Sequence, residues 1–230
     1  MLLFGSFVFL LSSVLLSIYN WKHNRVTIYL SLLLFICAIH GISHSLVLSG
    51  GPAWLMVFFY NNFSPLYFLI GPLMYLYVDG TLKDRFEFST KQIVHLLPFL
   101  LMVVVVFPYW FSSTDHKFQV ISEIINDPKV AGSLSVNWIL PPAWNLFLRI
   151  FLWIAYLVAS LILLVKYDYI KVIKQTSKQQ LNTTYRWLLL FLICMGVVYV
   201  DYLITGIFNI YYFNIELASY GVSQKQTSNA

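Results

Sequence analysis

Charge is scarce in this sequence: only 10% of its 230 residues are Asp, Glu, Lys or Arg, against about 25% in an ordinary soluble domain. With 60% of the chain apolar or aromatic, a water-soluble fold of this length could not hide its apolar surface behind so few charges. Cysteine is nearly absent. Cys37 and Cys194 lie inside apolar runs and neither belongs to a CxxC, which argues against a disulfide scaffold or a thiolate metal site and leaves two packing residues. There is no GxSxG, HExxH or Walker loop, and no paired carboxylates are placed for acid–base work. No catalytic residue, metal ligand or cofactor is therefore assigned, and an intramembrane enzyme would have to assemble its site from scattered residues. No internal repeat marks a transporter built of inverted halves. A cleavable leader is also missing: residues 1–19 form an apolar run with no basic n-region and no A-x-A site, so they are expected to remain as the first helix.

What the chain does contain is long apolar runs and aromatic rings. Phe, Trp and Tyr make up 18% of it, as suits a protein whose rings collect at headgroup level. A span needs about 20 apolar residues at 1.5 Å each. Runs of that kind predict an all-α polytopic transmembrane bundle of about six spans, at residues 2–19, 26–47, 65–78, 93–110, 143–165 and 186–208. The breaker cluster Ser49-Gly50-Gly51-Pro52 ends the second span. Residues 53–62 are apolar but short and read as an interfacial or re-entrant stretch. Gly71-Pro72 falls in the middle of the third span and Pro98 in the fourth, which predicts a kink in each and makes these residues candidate hinges. Residues 79–92 read as a polar hairpin. In the long loop 111–140, residues 118–126 have helical apolar spacing and could lie in the interface. Pro141-Pro142 opens the fifth span at the first turn, where proline is tolerated. Residues 166–185 read as a basic linker. Together, residues 1–208 form the bundle and residues 209–230 an interfacial or disordered tail, or a seventh helix cut short.

Orientation follows from Lys and Arg. Ten of them (Lys22, Arg25, Lys83, Arg85, Lys91, Lys166, Lys171, Lys174, Lys178 and Arg186) fall in the first, third and fifth connections, and three (Lys117, Lys129 and Lys225) on the opposite side. Ten against three places the N-terminus outside the cell and the basic connections in the cytoplasm. The basic stretch 166–186 suits anionic headgroups. Its charges are spread, with no aromatic platform between them, so direct nucleic-acid contact is not expected.

Two charged residues lie inside spans, and each would cost about 2.5–3.5 kcal/mol at mid-bilayer. Arg149 sits roughly 9 Å below the outer end of the fifth span and Asp201 roughly 10 Å from the outer end of the sixth. Matched depths on consecutive spans predict an ion pair, structural or ligand-binding. His40 and His44, at i and i+4, share one face in the outer half of span two. Two imidazoles could share a metal, but no third ligand stands nearby, so hydrogen bonds to neighbouring helices are expected of them. Asn61 and Asn62 lie at the same outer level. These six residues are the candidate ligand site. Asn62-Phe63-Ser64 and Asn182-Thr183-Thr184 also fit the glycosylation pattern, which is common by chance.

The stretch Phe68-Leu-Ile-Gly-Pro-Leu-Met-Tyr-Leu-Tyr-Val78, a short basic hairpin, and then His95-Leu-Leu-Pro-Phe-Leu100 together resemble the N-terminal membrane region of bacterial regulators that carry an AraC-type helix-turn-helix domain. The likeness runs over most of the chain. In that family about seven helices precede the DNA-binding domain, and the membrane part is taken to be sensory. The seventh helix and DNA-binding domain have no counterpart after about Asn209, so DNA binding is not carried over, and the chain is expected to be a fragment or a stand-alone relative. The resemblance implies a sensory input region in the bacterial inner membrane. Its partners would be the bilayer and a small-molecule or protein signal, with room for a homodimer. A small transporter or channel, with Arg149 and Asp201 along a solute path, is the alternative, and an aligned polar face across several spans would favour it.

Overall fold

A computed structural model describes the chain apart from residues 1, 21, 23, 87–89, 128–141, 174–177 and 228–230, and apart from the side chains of 2, 90–91, 142–143, 168–173, 178–182 and 209–227. The described residues form helices joined by short turns and irregular connections, with no strand among them. The elements are α1 (Leu2–Asn20), α2 (Thr27–Ser49), α3 (Ala53–Phe59), a 3₁₀ segment (Ser64–Leu69), α4 (Ile70–Lys83), α5 (Thr90–Ile93), a second 3₁₀ turn (Val94–Leu96), α6 (Leu97–Trp110), α7 (Thr114–Asn126), α8 (Pro142–Ile173) and α9 (Lys178–Thr227). Four helical stretches are long and apolar enough to cross a membrane, and the number rises to six if each of two bent pairs counts as one span.

Small polar residues bring the first two helices together. Ser13 Oγ donates to the Ser31 carbonyl at 2.8 Å, Ser31 Oγ returns a bond to the Ser13 carbonyl at 2.7 Å, and the Ser17 hydroxyl joins the Ser31 hydroxyl. Hydroxyls of this size let two helices approach closely where lipid offers no hydrophobic push between them. The other face of α1 exposes Phe4, Phe7, Leu11 and Ile18. Comparable apolar residues are exposed on α6 (Leu101, Val104), α8 (Phe151, Ile162) and α9 (Ile193, Val197). That is more open apolar surface than a soluble monomer carries, and hydrocarbon is the solvent that suits it.

At the centre stands α4, whose Ile70, Leu73, Met74, Leu76, Tyr77 and Val78 are all buried. It shares a core with Val26 at the N-cap of α2, Leu33 and Ile36 of α2, Trp153 and Leu164 of α8, and Leu188, Leu192 and Tyr199 of α9. Gly71 is what admits α8 so closely: a Cβ there would lie 3.0 Å from Tyr156 Cδ2 and 3.1 Å from Tyr156 Cβ. At the opposite end α4 stops on Asp84 in the left-handed region (φ 52°), after the Lys83–Asp79 ion pair at 2.8 Å.

The expected mid-span kinks are not where the chain bends. Ser64–Lys83 runs as one helical stretch, set at 46° to α3 across the break at residues 60–63, and α6 turns by 102° into α7. Pro72 lies in the first turn of α4 and Pro98 in the first turn of α6, each just after a 3₁₀ segment. Proline has no N–H to give at either position, and its fixed φ is tolerated in the first turn of an α-helix. Gly71, Pro72 and Pro98 thus stand at 3₁₀-to-α transitions, while Pro108 lies inside α6.

Three further expectations change. The helix anticipated at 118–126 begins earlier, at Thr114, where Ser113 Oγ accepts the His116 N–H at 3.2 Å as an N-cap. It buries Val120, Ile121 and Ile124 against Leu46 of α2 and Met56 of α3, and so lies across the end of the bundle where α2 stops. The stretch 166–185 is helix on both sides of residues 174–177, because it holds no Gly or Pro to break the run. The tail from residue 209 is helical along its backbone to Thr227 as a continuation of α9.

Candidate functional site

His40 is the centre of an aromatic box built from four separate segments. Residue spacing on α2 puts His40, Ser43 and His44 on neighbouring faces, while the 3₁₀ segment contributes Tyr67, α8 contributes Trp153 and α9 contributes Tyr202. The His40 ring meets Tyr67 edge-on at 4.4 Å, Tyr202 at 5.3 Å and Trp153 at 6.1 Å, and His44 lies 6.3 Å from His40 and 6.4 Å from Tyr202. Hydrogen bonds fix these rings. Trp153 Nε1 donates to the Tyr67 carbonyl at 2.9 Å, Tyr67 Oη donates to Ser43 Oγ at 2.9 Å, and Tyr202 Oη shares a proton with His40 Nδ1 at 3.1 Å. The Tyr67 carbonyl also takes the Ile70 N–H, so one acceptor closes the 3₁₀ segment and ties it to α8.

Arg149 enters this box one helical turn before Trp153. Its guanidinium carbon stands 5.4 Å from the Tyr67 ring centre and 5.4 Å from the Trp153 ring centre, a stacked geometry that Arg adopts more readily than Lys. His40, His44 and Tyr202 are near enough to interact with its charge. No carboxylate among the described residues neutralises it. Arg149 Nε is shielded with no hydrogen-bond partner, and the terminal nitrogens make neither a hydrogen bond nor an ion pair among the described residues.

The expected Arg149–Asp201 pair is therefore not formed. Successive residues on a helix point about 100° apart, and Tyr202, next to Asp201, takes the inward direction while the Asp201 side chain is exposed. Similar depth was a sound inference from spacing, but depth does not fix rotation about the helix axis.

No protein-family model, no curated protein and no solved structure matches this chain. Its chemistry has to be read from the site itself.

Of the six residues singled out from the sequence, the structure brings His40, His44 and Arg149 together and turns Asp201 away. Asn61 and Asn62 serve the turn between α3 and the 3₁₀ segment. Asn61 is left-handed (φ 59°), and Asn62 Nδ2 caps α3 by donating to the Val57 and Phe58 carbonyls at 2.9 and 3.0 Å, while its own carbonyl accepts Trp110 Nε1 at 3.2 Å. The residues the sequence reading missed are Tyr67, Trp153 and Tyr202. Only Trp153 carried a signal, four residues after Arg149 and hence on the same face. Among the described residues no three His, Cys, Asp or Glu converge to hold a metal. What the box can do chemically is narrower: it can present a guanidinium, set over two aromatic rings, to a group of opposite charge.

A second polar cluster lies farther along α8. His95 Nδ1 and Tyr156 Oη are 2.8 Å apart, and Tyr75 stacks obliquely on both rings at 5.3 and 6.0 Å. Tyr156 is the residue that covers Gly71, so this cluster links α4, the turn before α6, and α8.

Proposed function

We propose that this chain is the membrane-embedded signal-input region of a bacterial transcriptional regulator of the AraC type, seated in the inner membrane with its N-terminus outside and its basic connections in the cytoplasm. The observation that carries the reading is the unpaired Arg149 in a box shared by α2, the 3₁₀ segment, α8 and α9. A cation left without a counter-ion among apolar helices is costly, and a packing role would be served better by Leu. A signal bound there would touch four segments at once and bias their packing, which is how a ligand shifts a conformational equilibrium. The two motifs behind the resemblance support the same reading: one is the buried core of α4, and the other opens α6 beside the His95–Tyr156 contact.

Coupling between the box and the far end of α8 tests this function. Lys166 is exposed near the inner end of α8. With Cys37 and Cys194 replaced by alanine, the maleimide labelling rate of Lys166→Cys in inside-out vesicles should change severalfold on adding Tyr202→Phe or His40→Gln. An unchanged rate in both backgrounds would remove the sensory reading.

Orientation is tested separately. In intact cells an impermeant thiol reagent should label a cysteine at Phe118, on the exposed part of α7, and spare one at Lys83. The reverse pattern would invert the topology derived from the charge asymmetry.

A further inference from the structure

The class of ligand can be read from what surrounds Arg149, and this inference rests on the sensory reading above. The guanidinium has one sealed nitrogen, Nε, with no partner. Its terminal nitrogens are not among the shielded polar atoms and bond to nothing described, so they remain reachable. Among the described residues they pair with no carboxylate, Asp201 being turned outward, and the Tyr67 and Trp153 rings lie 5.4 Å from the guanidinium carbon. Five N–H donors in a planar fork match the two oxygens of a carboxylate. A dianion such as phosphate would match the fork too, but would leave a second negative charge uncompensated in an apolar bundle, at considerable cost. The rings of Tyr67 and Trp153 beside it suit an apolar body behind the charged group.

We infer that Arg149, flanked by Tyr67, Trp153 and Tyr202, binds the carboxylate of a monoanionic ligand with an apolar body. Tyr202 Oη sits where it could add a hydrogen bond to the same carboxylate by leaving His40, from which it is 3.1 Å distant. This exchange would carry the presence of the ligand from α8 to α2 and α9. The ligand's carboxylate could come from the water phase or from a fatty acid already in the bilayer, and the chemistry at Arg149 is the same for both.

The full chain in nonionic micelles can be titrated with sodium benzoate and sodium laurate, alongside benzamide, dodecanol and inorganic phosphate, with the thermal midpoint as readout. At least one carboxylate should raise the midpoint by several degrees and saturate, while its uncharged counterpart and phosphate do not. Benzoate alone would mark a water-soluble ligand, and laurate alone a membrane-derived one. Arg149→Gln should weaken the response about tenfold or more, Arg149→Lys should fall between, and Tyr202→Phe, which removes only a hydroxyl, should weaken it about threefold. Each variant should elute as the wild type does on size exclusion. Inert carboxylates, an equal response to the uncharged counterparts, or an undiminished response in Arg149→Gln would each overturn the inference. If the carboxylates are inert while Lys166→Cys labelling still answers to Tyr202→Phe, the ligand class is wrong and the sensory reading stands. If carboxylates bind through Arg149 while that labelling is indifferent to the box, the site is real and the sensory reading fails.

Discussion

Trp153→Ala should destabilise the bundle by about 3–5 kcal/mol, the range for emptying a large aromatic site, measured by SDS-titration unfolding in mixed micelles. Trp153 is 2% exposed and does three things at once. Its ring fills the space between Tyr199 at 5.2 Å and Tyr202 at 5.7 Å, supports the Arg149 guanidinium, and donates Nε1 to the Tyr67 carbonyl. Trp153→Phe keeps most of the volume but loses the donor, and should cost about 1 kcal/mol, the net worth of one hydrogen bond. A Trp153→Ala loss no larger than that of Trp153→Phe would mean the ring does not bear the packing assigned to it.

Gly71→Leu should be the second large effect. The added Cβ alone would approach the Tyr156 ring and its Cβ to 3.0–3.3 Å, and the Tyr156 Cβ is fixed to the α8 backbone and cannot swing aside. The helices would have to separate, at about 1–3 kcal/mol for overpacking of this kind. Because Tyr156 also bonds His95 at 2.8 Å, separation should break that contact too. Gly71→Ala, which adds only the Cβ, should cost less than Gly71→Leu. The reverse order, or no loss in either variant, would show that α4 and α8 are not held at this distance.

How much of this was legible in the chain follows from what each signal reports. Hydropathy reports apolar surface, so the helical runs were readable, including α1 and the amphipathic residues that became α7. Proline reports a missing N–H but not its position in a helix. Pro72 and Pro98 therefore looked like mid-span kinks, whereas the 3₁₀ segments before them made them first-turn residues. The linker at 166–185 was judged by its polarity, when the relevant property for the helix on either side of residues 174–177 was its lack of Gly and Pro. For the site, charge in an apolar run singled out Arg149 and the i,i+4 spacing singled out His40 and His44, three residues that the fold brings together. Partners across helices depend on rotation about each axis, which no run of one helix reports. That is why Tyr202 and not Asp201 faces the box, and why Tyr67 was not foreseen.

The central claim, that Arg149 has no counter-ion among the described residues, Asp201 included, is tested most directly by a double-mutant cycle of Arg149→Leu and Asp201→Leu, read by the same unfolding measurement. An ion pair would make each single change strand its partner, at about 3 kcal/mol each, with the double change costing much less than the sum. Here Asp201 is exposed and Arg149 unpaired. Losing two ring contacts worth about 0.5–2 kcal/mol each offsets the relief of removing an unpaired charge worth about 2.5–3.5 kcal/mol. The account predicts that neither single change destabilises the ligand-free protein by more than about 1 kcal/mol, and that the two add to within about 0.5 kcal/mol. A coupling energy above about 1 kcal/mol, with both single variants strongly destabilised, would contradict it and restore the ion pair.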